Sequence, residues 1–195
     1  MATASVSYHN LDPEMIGPYN ISSDLYNWNT QDTFWIECNH PLIRAQAKTL
    51  AAGETNPLLL AERNYRFVLD VMSYQSCQEN KGALYALQKR AGDCTEYATL
   101  FVALCRAQGI PSRIVSGATI SADNILHNHT WAELYLPNYG WIPVDPTWGQ
   151  STGQNYFGHL SERHVGFYYG LWNGFSHWYS PILGQVLVQE EFEPG

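Results

Sequence analysis

The chain has 195 residues and a formal net charge of -8, with 45% hydrophobic and 14% charged residues. That length fits one domain, and the apolar content excludes disorder. The negative charge argues against nucleic acid and anionic membrane as partners, and no apolar run approaches the roughly 20 residues of a membrane-spanning helix. Aromatics take the place of the missing charge: 13 Tyr, 7 Trp and 7 Phe. The first residues, Met1 to Asn10, carry no basic region followed by an apolar stretch, so no secretory signal is expected. That favours a cytoplasmic protein, with a mature or excised stretch behind an added Met as the alternative. We expect a single domain over 1–195, with neither internal repeat nor linker.

Residues 1–38 read as irregular, broken by Pro13, Gly17 and Pro18, with strand expected near Val6 and Phe34–Ile36. A first helix should begin at Pro41 and end before Gly53, with proline at its start and glycine past its end. Asn56-Pro57 opens a second, with Leu60, Asn64, Phe67, Val68 and Val71 on one face and an end expected near Tyr74. A short helical piece follows at Ala83–Lys89. The strongest helical signal comes next. Asp93 is a good N-cap and Glu96, three residues on, completes a capping box. Apolar residues then run from Ala98 to Cys105 before Gly109 and Pro111 stop the helix. A helix apolar over most of its surface belongs in the core.

Beyond it the period becomes strand-like. Arg113–Ser116 reads as a strand. From His129 to Leu136 the residues alternate, with His129, Trp131, Glu133 and Tyr135 on one face. Pro137 to Gly140 is turn chemistry, and Trp141–Asp145 is the returning strand, with Pro143 marking an edge. Helices followed by antiparallel strands define an α+β fold. From Thr147 onward only a last strand at Gln185–Gln189 is expected.

Four cysteines are present: Cys38, Cys77, Cys94 and Cys105. None forms a Cys-x-x-Cys pair, which argues against a zinc knuckle. Cys94 is singular in its place. It heads the buried helix, where free N–H groups and the positive end of the helix dipole favour thiolate over thiol. Cys105 lies mid-helix and should fill core, and Cys38 and Cys77 read as structural. A nucleophilic thiol needs a base, and seven histidines compete for that role: His9, His40, His127, His129, His159, His164 and His177. A hairpin centred on Pro137 would oppose His129 directly to Asp145, about 5 Å apart on one face, so that the carboxylate orients the imidazole. Taken singly, His129 is a half-buried strand residue and Asp145 a turn former; together with a helix-start cysteine they make a triad. His127 has the same parity and ranks second. Two histidines at alternating strand positions could also bind a metal, but no third ligand has matching spacing, so no metal and no cofactor are expected.

Three blocks carry a resemblance. Gly92-Asp93-Cys94-Thr95-Glu96-Tyr97-Ala98 continuing to Gly109-Ile110-Pro111-Ser112-Arg113, His129-Thr130-Trp131-Ala132-Glu133, and Gly140-Trp141-Ile142-Pro143-Val144-Asp145-Pro146-Thr147 resemble the core motifs of the transglutaminase-like superfamily, in the family's order. They cover about residues 40–150. The resemblance implies a papain-like fold with Cys94 as nucleophile, His129 as general base and acid, and Asp145 as orienting carboxylate. It also implies an oxyanion donor before the helix, at Tyr74 or Gln75, with Tyr74 preferred. Trp131 and Trp141 would shield the imidazole or line an apolar slot. Trp148 and Tyr156–Phe157 would rim the cleft. The chain has no room for the added β domains of the calcium-dependent animal enzymes, and it lacks the Cys-x-x-Cys sites of the peptide N-glycanase branch. The microbial type remains: a thiol-dependent amidase or cysteine protease acting on peptide or protein substrates. A protein-glutamine transglutaminase and a catalytically silent binding module are the alternatives.

Overall fold

The computed structural model describes residues 10–121 and 124–171. The strands expected near Val6 and at Gln185–Gln189 lie outside these. A 3-10 turn at Pro13–Met15 and helix α1, Asp24–Thr30, precede α2, Pro41–Ala51, and α3, Pro57–Val71. Then come β1 (Ser73–Tyr74), α4 (Gly82–Lys89), β2 (Ala91–Gly92) and α5 (Cys94–Ala107). Strands β3 (Ser112–Ile120), β4 (Leu126–Leu136) and β5 (Gly140–Val144), helix α6 (Pro146–Thr152) and strand β6 (His164–Tyr169) complete the order. The fold is α+β, helices first and a four-stranded antiparallel sheet after, in the order β5-β4-β3-β6.

Helix α5 is the axis of the core. Every residue from Thr95 to Arg106 is buried. Helices α2, α3 and α4 pack around it, and Ala132, Leu134 and Leu136 of β4 close the same apolar cluster from the sheet side. The capping box forms: the Asp93 carboxylate accepts from the Thr95 N–H at 2.9 Å and Glu96 accepts from the Asp93 N–H at 3.1 Å. Glu96 has a further duty that spacing did not reveal. Its other oxygen accepts from the Lys81 N–H at 2.8 Å, tying the approach to α4 to the head of α5. Gly92 is required here, because a Cβ would lie 2.3 Å from the Glu96 Cβ.

Several expectations need correction. Phe34–Ile36 is no strand: Thr33 and Ile36 bridge across a tight turn, and Phe34 is exposed. Helix α3 stops at Val71, three residues early, because the backbone at Ser73 and Gln75 donates to Arg90 and Gly92 in a short parallel pairing. The strand at Arg113–Ser116 extends from Ser112 to Ile120, since β4 and β6 pair with it on both sides. Pro143 does lie on an edge strand, β5.

The hairpin register differs from the expected one. Leu136 pairs with Gly140 and Glu133 with Pro143, so the turn is centred on Asn138, not on Pro137. Asn138 adopts the left-handed conformation at φ 74, which asparagine tolerates, and its side-chain amide donates to the Met15 carbonyl. Asp145 therefore falls beyond the last pair rather than opposite His129. The displacement is two residues along the partner, an even number, so the two side chains keep the same face.

Replacing Glu96 by Ala would strand the backbone N–H groups of Asp93, at the head of α5, and of Lys81, at the head of α4. We expect a loss of at least about 2 kcal/mol in unfolding free energy, read from the urea midpoint at unchanged m-value.

Candidate active site

Cys94 is the first residue of α5, one step past its cap, and is half-buried and free. Cys38 and Cys105 are buried, and burial pushes their thiols up to about 11 and about 12. The Asn64 side-chain amide lies 3.4 Å from the Cys105 sulfur, a packed interior contact. Cys77 is half-buried before α4, with its backbone N–H donating to Asp93.

His129 projects from β4 and is 7% exposed; Asp145 is fully buried. His129 Nε2 lies 2.7 Å from Asp145 Oδ2. The carboxylate reaches it because Asp145 is the N-cap of α6: Oδ1 accepts from the Trp148 N–H at 3.0 Å, which turns Oδ2 towards the sheet. The backbone of Asp145 is clamped as well, its N–H donating to the Tyr156 carbonyl at 2.9 Å. The Asp-Pro pair at 145–146 carried the signal for this helix, an N-cap followed by proline. The role as strand-end carboxylate masked it.

His164 is the residue that spacing could not find. It begins β6, and its Nε2 lies 3.0 Å from the same Asp145 Oδ2. Only pairing of β6 along β3 brings it there, with Thr119 opposite His164 on one edge and Gly117 opposite His129 on the other. His127 stands exposed at the start of β4.

The electrostatics follow from this geometry. Burial by itself pushes the His129 imidazole down, but hydrogen bonding to Asp145 and to Cys94, with the charge of both, overrides it and lifts the group to about 10. Burial by itself would raise the Asp145 carboxyl, but its bonds to His129 and His164 and the Trp148 N–H hold it down at about 2.

Trp131 is buried beside the imidazole, ring centroids 6.1 Å apart, and its indole nitrogen has no hydrogen-bond partner among the described residues. Its ring occupies the space over Gly117, where a Cβ would lie 2.8 Å from it. Trp148 lies 4.5 Å from the His164 ring and 6.1 Å from that of His129, and Tyr156 joins Val115, Trp131 and Leu160 in a small second core. Trp141 serves elsewhere: Arg113 is stacked between Trp141 and Tyr169 while pairing with Glu133 at 2.7 Å, which supplies the partner of that strand glutamate. Tyr74 is 62% exposed and aligned with Gly92, two residues before Cys94. Burial raises its phenol, with Cys94 and Asp93 adding to the effect.

Two clusters place three ligand-type atoms within 4.8 Å of one another among the described residues: His129, Asp145 and His164, and Cys77, Asp93 and Glu96. The first could accept a divalent cation only after His129 gave up the proton that Asp145 holds on it. In the second, both carboxylates already accept backbone N–H groups.

Residues 44–146 match the Transglutaminase-like superfamily, more than half of the chain, and the protein belongs to that superfamily. Among individual proteins, it is 31% identical over 123 residues to a protein-glutamine gamma-glutamyltransferase of Pseudomonas aeruginosa, a match covering 56% of this chain and 18% of the relative. It is 29% identical over 151 residues to a peptide-N(4)-(N-acetyl-beta-glucosaminyl)asparagine amidase of Drosophila melanogaster, covering 74% of this chain and 21% of the relative. The chain thus corresponds to about a fifth of the length of either relative. Its structure resembles the periplasmic domain of TgpA from Pseudomonas aeruginosa, with a TM-score of 0.54 at 28% identity over 68% of this chain and 50% of that one. It also shares its fold with a candidate cysteine protease from Cytophaga hutchinsonii, with a TM-score of 0.56 at 18% identity over 81% of this chain and 60% of that one.

The two shifts bound a pH window for stability. The Asp145 carboxyl is lowered from 3.8 to about 2, so its contribution is complete above 3.8 and fades as pH falls through 2. The His129 imidazole is raised from 6.5 to about 10, so its contribution is complete below 6.5 and fades as pH rises through 10. The stability difference between wild type and Asp145→Asn should therefore be largest from 3.8 to 6.5 and shrink on either side. Chemical denaturation across pH checks this; a difference that is flat with pH would contradict the pairing.

Proposed function

We propose that the chain is a thiol-dependent amide-bond hydrolase or acyl transferase, most directly a cysteine protease, acting on peptide or protein substrates through Cys94, His129 and Asp145. The observation that carries the reading is the imidazole of His129, hydrogen-bonded to the buried carboxylate of Asp145 and raised further by the neighbouring thiol of Cys94 at the head of α5. An imidazolium kept protonated across neutral pH beside a cysteine at a helix N-terminus suits an ion-paired nucleophile.

In the proposed cycle the Cys94 sulfur attacks the carbonyl carbon of an amide. The tetrahedral oxyanion is met by the Cys94 backbone N–H, with the exposed Tyr74 hydroxyl as the second donor. The C–N bond breaks, His129 gives its proton to the departing amine, and a thioester remains on Cys94. Water then attacks the thioester carbonyl while giving a proton to His129, the C–S bond breaks, and a carboxylic acid leaves. Asp145 keeps the imidazole oriented and stabilises its charged form throughout.

The second reading replaces water with an amine, which makes the enzyme a protein-glutamine transglutaminase. It is favoured by the name of the Pseudomonas aeruginosa relative, a gamma-glutamyltransferase. A glutamine-bearing peptide incubated with a labelled amine separates the two. Label in the peptide supports transfer, and free acid or peptide fragments without label support hydrolysis.

Alkylation by iodoacetamide with mass-spectrometric localisation tests the thiol directly. Cys94 should react well ahead of Cys38, Cys77 and Cys105 near pH 6, and His129→Ala should remove the advantage. Cys94 reacting no faster than Cys77, with no effect of His129→Ala, would leave a binding module instead. Asp145→Asn should stay folded and lower turnover by roughly 10⁴-fold, the effect of the equivalent change in serine triads. Near-native turnover would remove Asp145 from the mechanism.

A further inference from the structure

We infer that His164 is a positioning residue of this site, holding the Asp145 carboxylate in place through the same oxygen that His129 bonds. This rests on the Cys94–His129–Asp145 reading and extends it by a residue that none of the three sequence blocks contains.

Asp145 Oδ2 is shared by two imidazoles, with His129 Nε2 at 2.7 Å and His164 Nε2 at 3.0 Å. Two donors on one oxygen, and the Trp148 N–H on the other, leave the carboxylate no rotation that keeps all three bonds. Without His164, a fully buried oxygen would lose one of its two donors, and its orientation would rest on Trp148 and on the very group it is meant to orient.

The His164 ring is itself held at both nitrogens. Its side chain is 1% exposed. Nδ1 lies 3.1 Å from Ser161 Oγ. Asp145, held as the carboxylate, can only accept, so His164 Nε2 carries a proton and donates it, while the Ser161 hydroxyl engages the ring's other nitrogen. Both ring nitrogens thus have a polar partner, as a buried ring requires.

The ring's plane is fixed by aromatic neighbours. Trp131 stands perpendicular to it at 5.4 Å, Trp148 lies at 4.5 Å and Tyr156 at 5.8 Å. The Trp131 ring can lie beside both histidines, reaching across β3 towards β6, because those strands carry glycine there, Gly117 and Gly166. The irregular pairing of β3 with β6 falls at Ser116/Gly117. Among the described residues, the ionisable groups facing this assembly besides His129 and Asp145 are Cys94 from α5, Tyr65 from α3, and Tyr156, His159, Glu162 and Arg163 from the segment between α6 and β6. Burial pushes both phenols up, Tyr65 to about 12, so they stay uncharged across neutral pH.

The test follows the Asp145 carboxyl by carbon-detected NMR titration in wild type, His164→Phe and His164→Gln. Phenylalanine fills the aromatic cage without a donor; glutamine places an N–H near the lost Nε2. We expect Asp145 to protonate at a pH about one unit higher in His164→Phe, a tenfold change in its proton affinity. In His164→Gln the value should return most of the way, and Cys94 alkylation should fall about tenfold in the first variant and recover in the second. Ser161→Ala, on a half-buried turn, tests the same chain with little risk to the fold and should move Asp145 the same way by less. An Asp145 titration unchanged in His164→Phe and Ser161→Ala, or displaced as far by Gln as by Phe, would overturn the inference. The outcome is separable from the parent reading: if wild-type Cys94 shows no special reactivity the triad falls, while the Asp145 titration still decides whether His164 holds the carboxylate.

Discussion

A carboxylate withdrawn from water must be met by donors, and the donors that meet Asp145 come from three different elements. Trp148 supplies a backbone N–H from α6, His129 an imidazole from β4, and His164 another from β6. The burial of one side chain thereby fixes the seating of a helix, the register of a hairpin and the docking of an edge strand. Breaking any of these contacts leaves charge or polarity uncompensated in the interior, which is why so few residues can hold this much structure in register. The same contacts keep a proton on His129 far above its ordinary range, so the constraint that organises the fold also prepares the site.

The other half of the site obeys a parallel logic. Helix α5 is buried along nearly its whole length, so its first turn cannot rely on water to satisfy its N–H groups. Asp93 and Glu96 do so instead, and both reach beyond the helix, to the N–H groups of Cys77 and Lys81. The head of the helix is therefore tied to the segments around Cys77 and Lys81, with Cys94 half-buried and Tyr74 exposed beside it. A side chain at such a helix head is placed by the helix, and its position does not depend on contacts of its own.

Both halves, Cys94 on one side and His129 with Asp145 on the other, lie within the residues, 44–146, that match the transglutaminase-like superfamily. His164, Trp148 and Tyr156 lie beyond the residues, 44–146, that match the superfamily. Trp131, Trp148 and Tyr156 build a second, smaller core on the far side of the sheet from α5, and it is this core that carries the second histidine to Asp145.

The amino-acid sequence by itself determined what depends on neighbours within a turn or two. The capping box at Asp93 and Glu96, the proline-opened helices at Pro41 and Pro57, and the alternation from His129 to Leu136 are local, and their meaning survives in the structure. Even the misplaced hairpin centre did no damage to the pairing of His129 with Asp145, because a two-residue displacement preserves the face of a strand. What only the tertiary structure decided is whatever depends on residues distant in the chain. The early end of α3 is set by a partner strand nearly twenty residues on. The bond from His164 to Asp145 exists because β6 lies along the free edge of β3, and no spacing within the chain specifies which edge a late strand will join. Strand pairing is settled by the burial of whole faces and the filling of backbone donors and acceptors, quantities that belong to the assembled sheet and to no single segment.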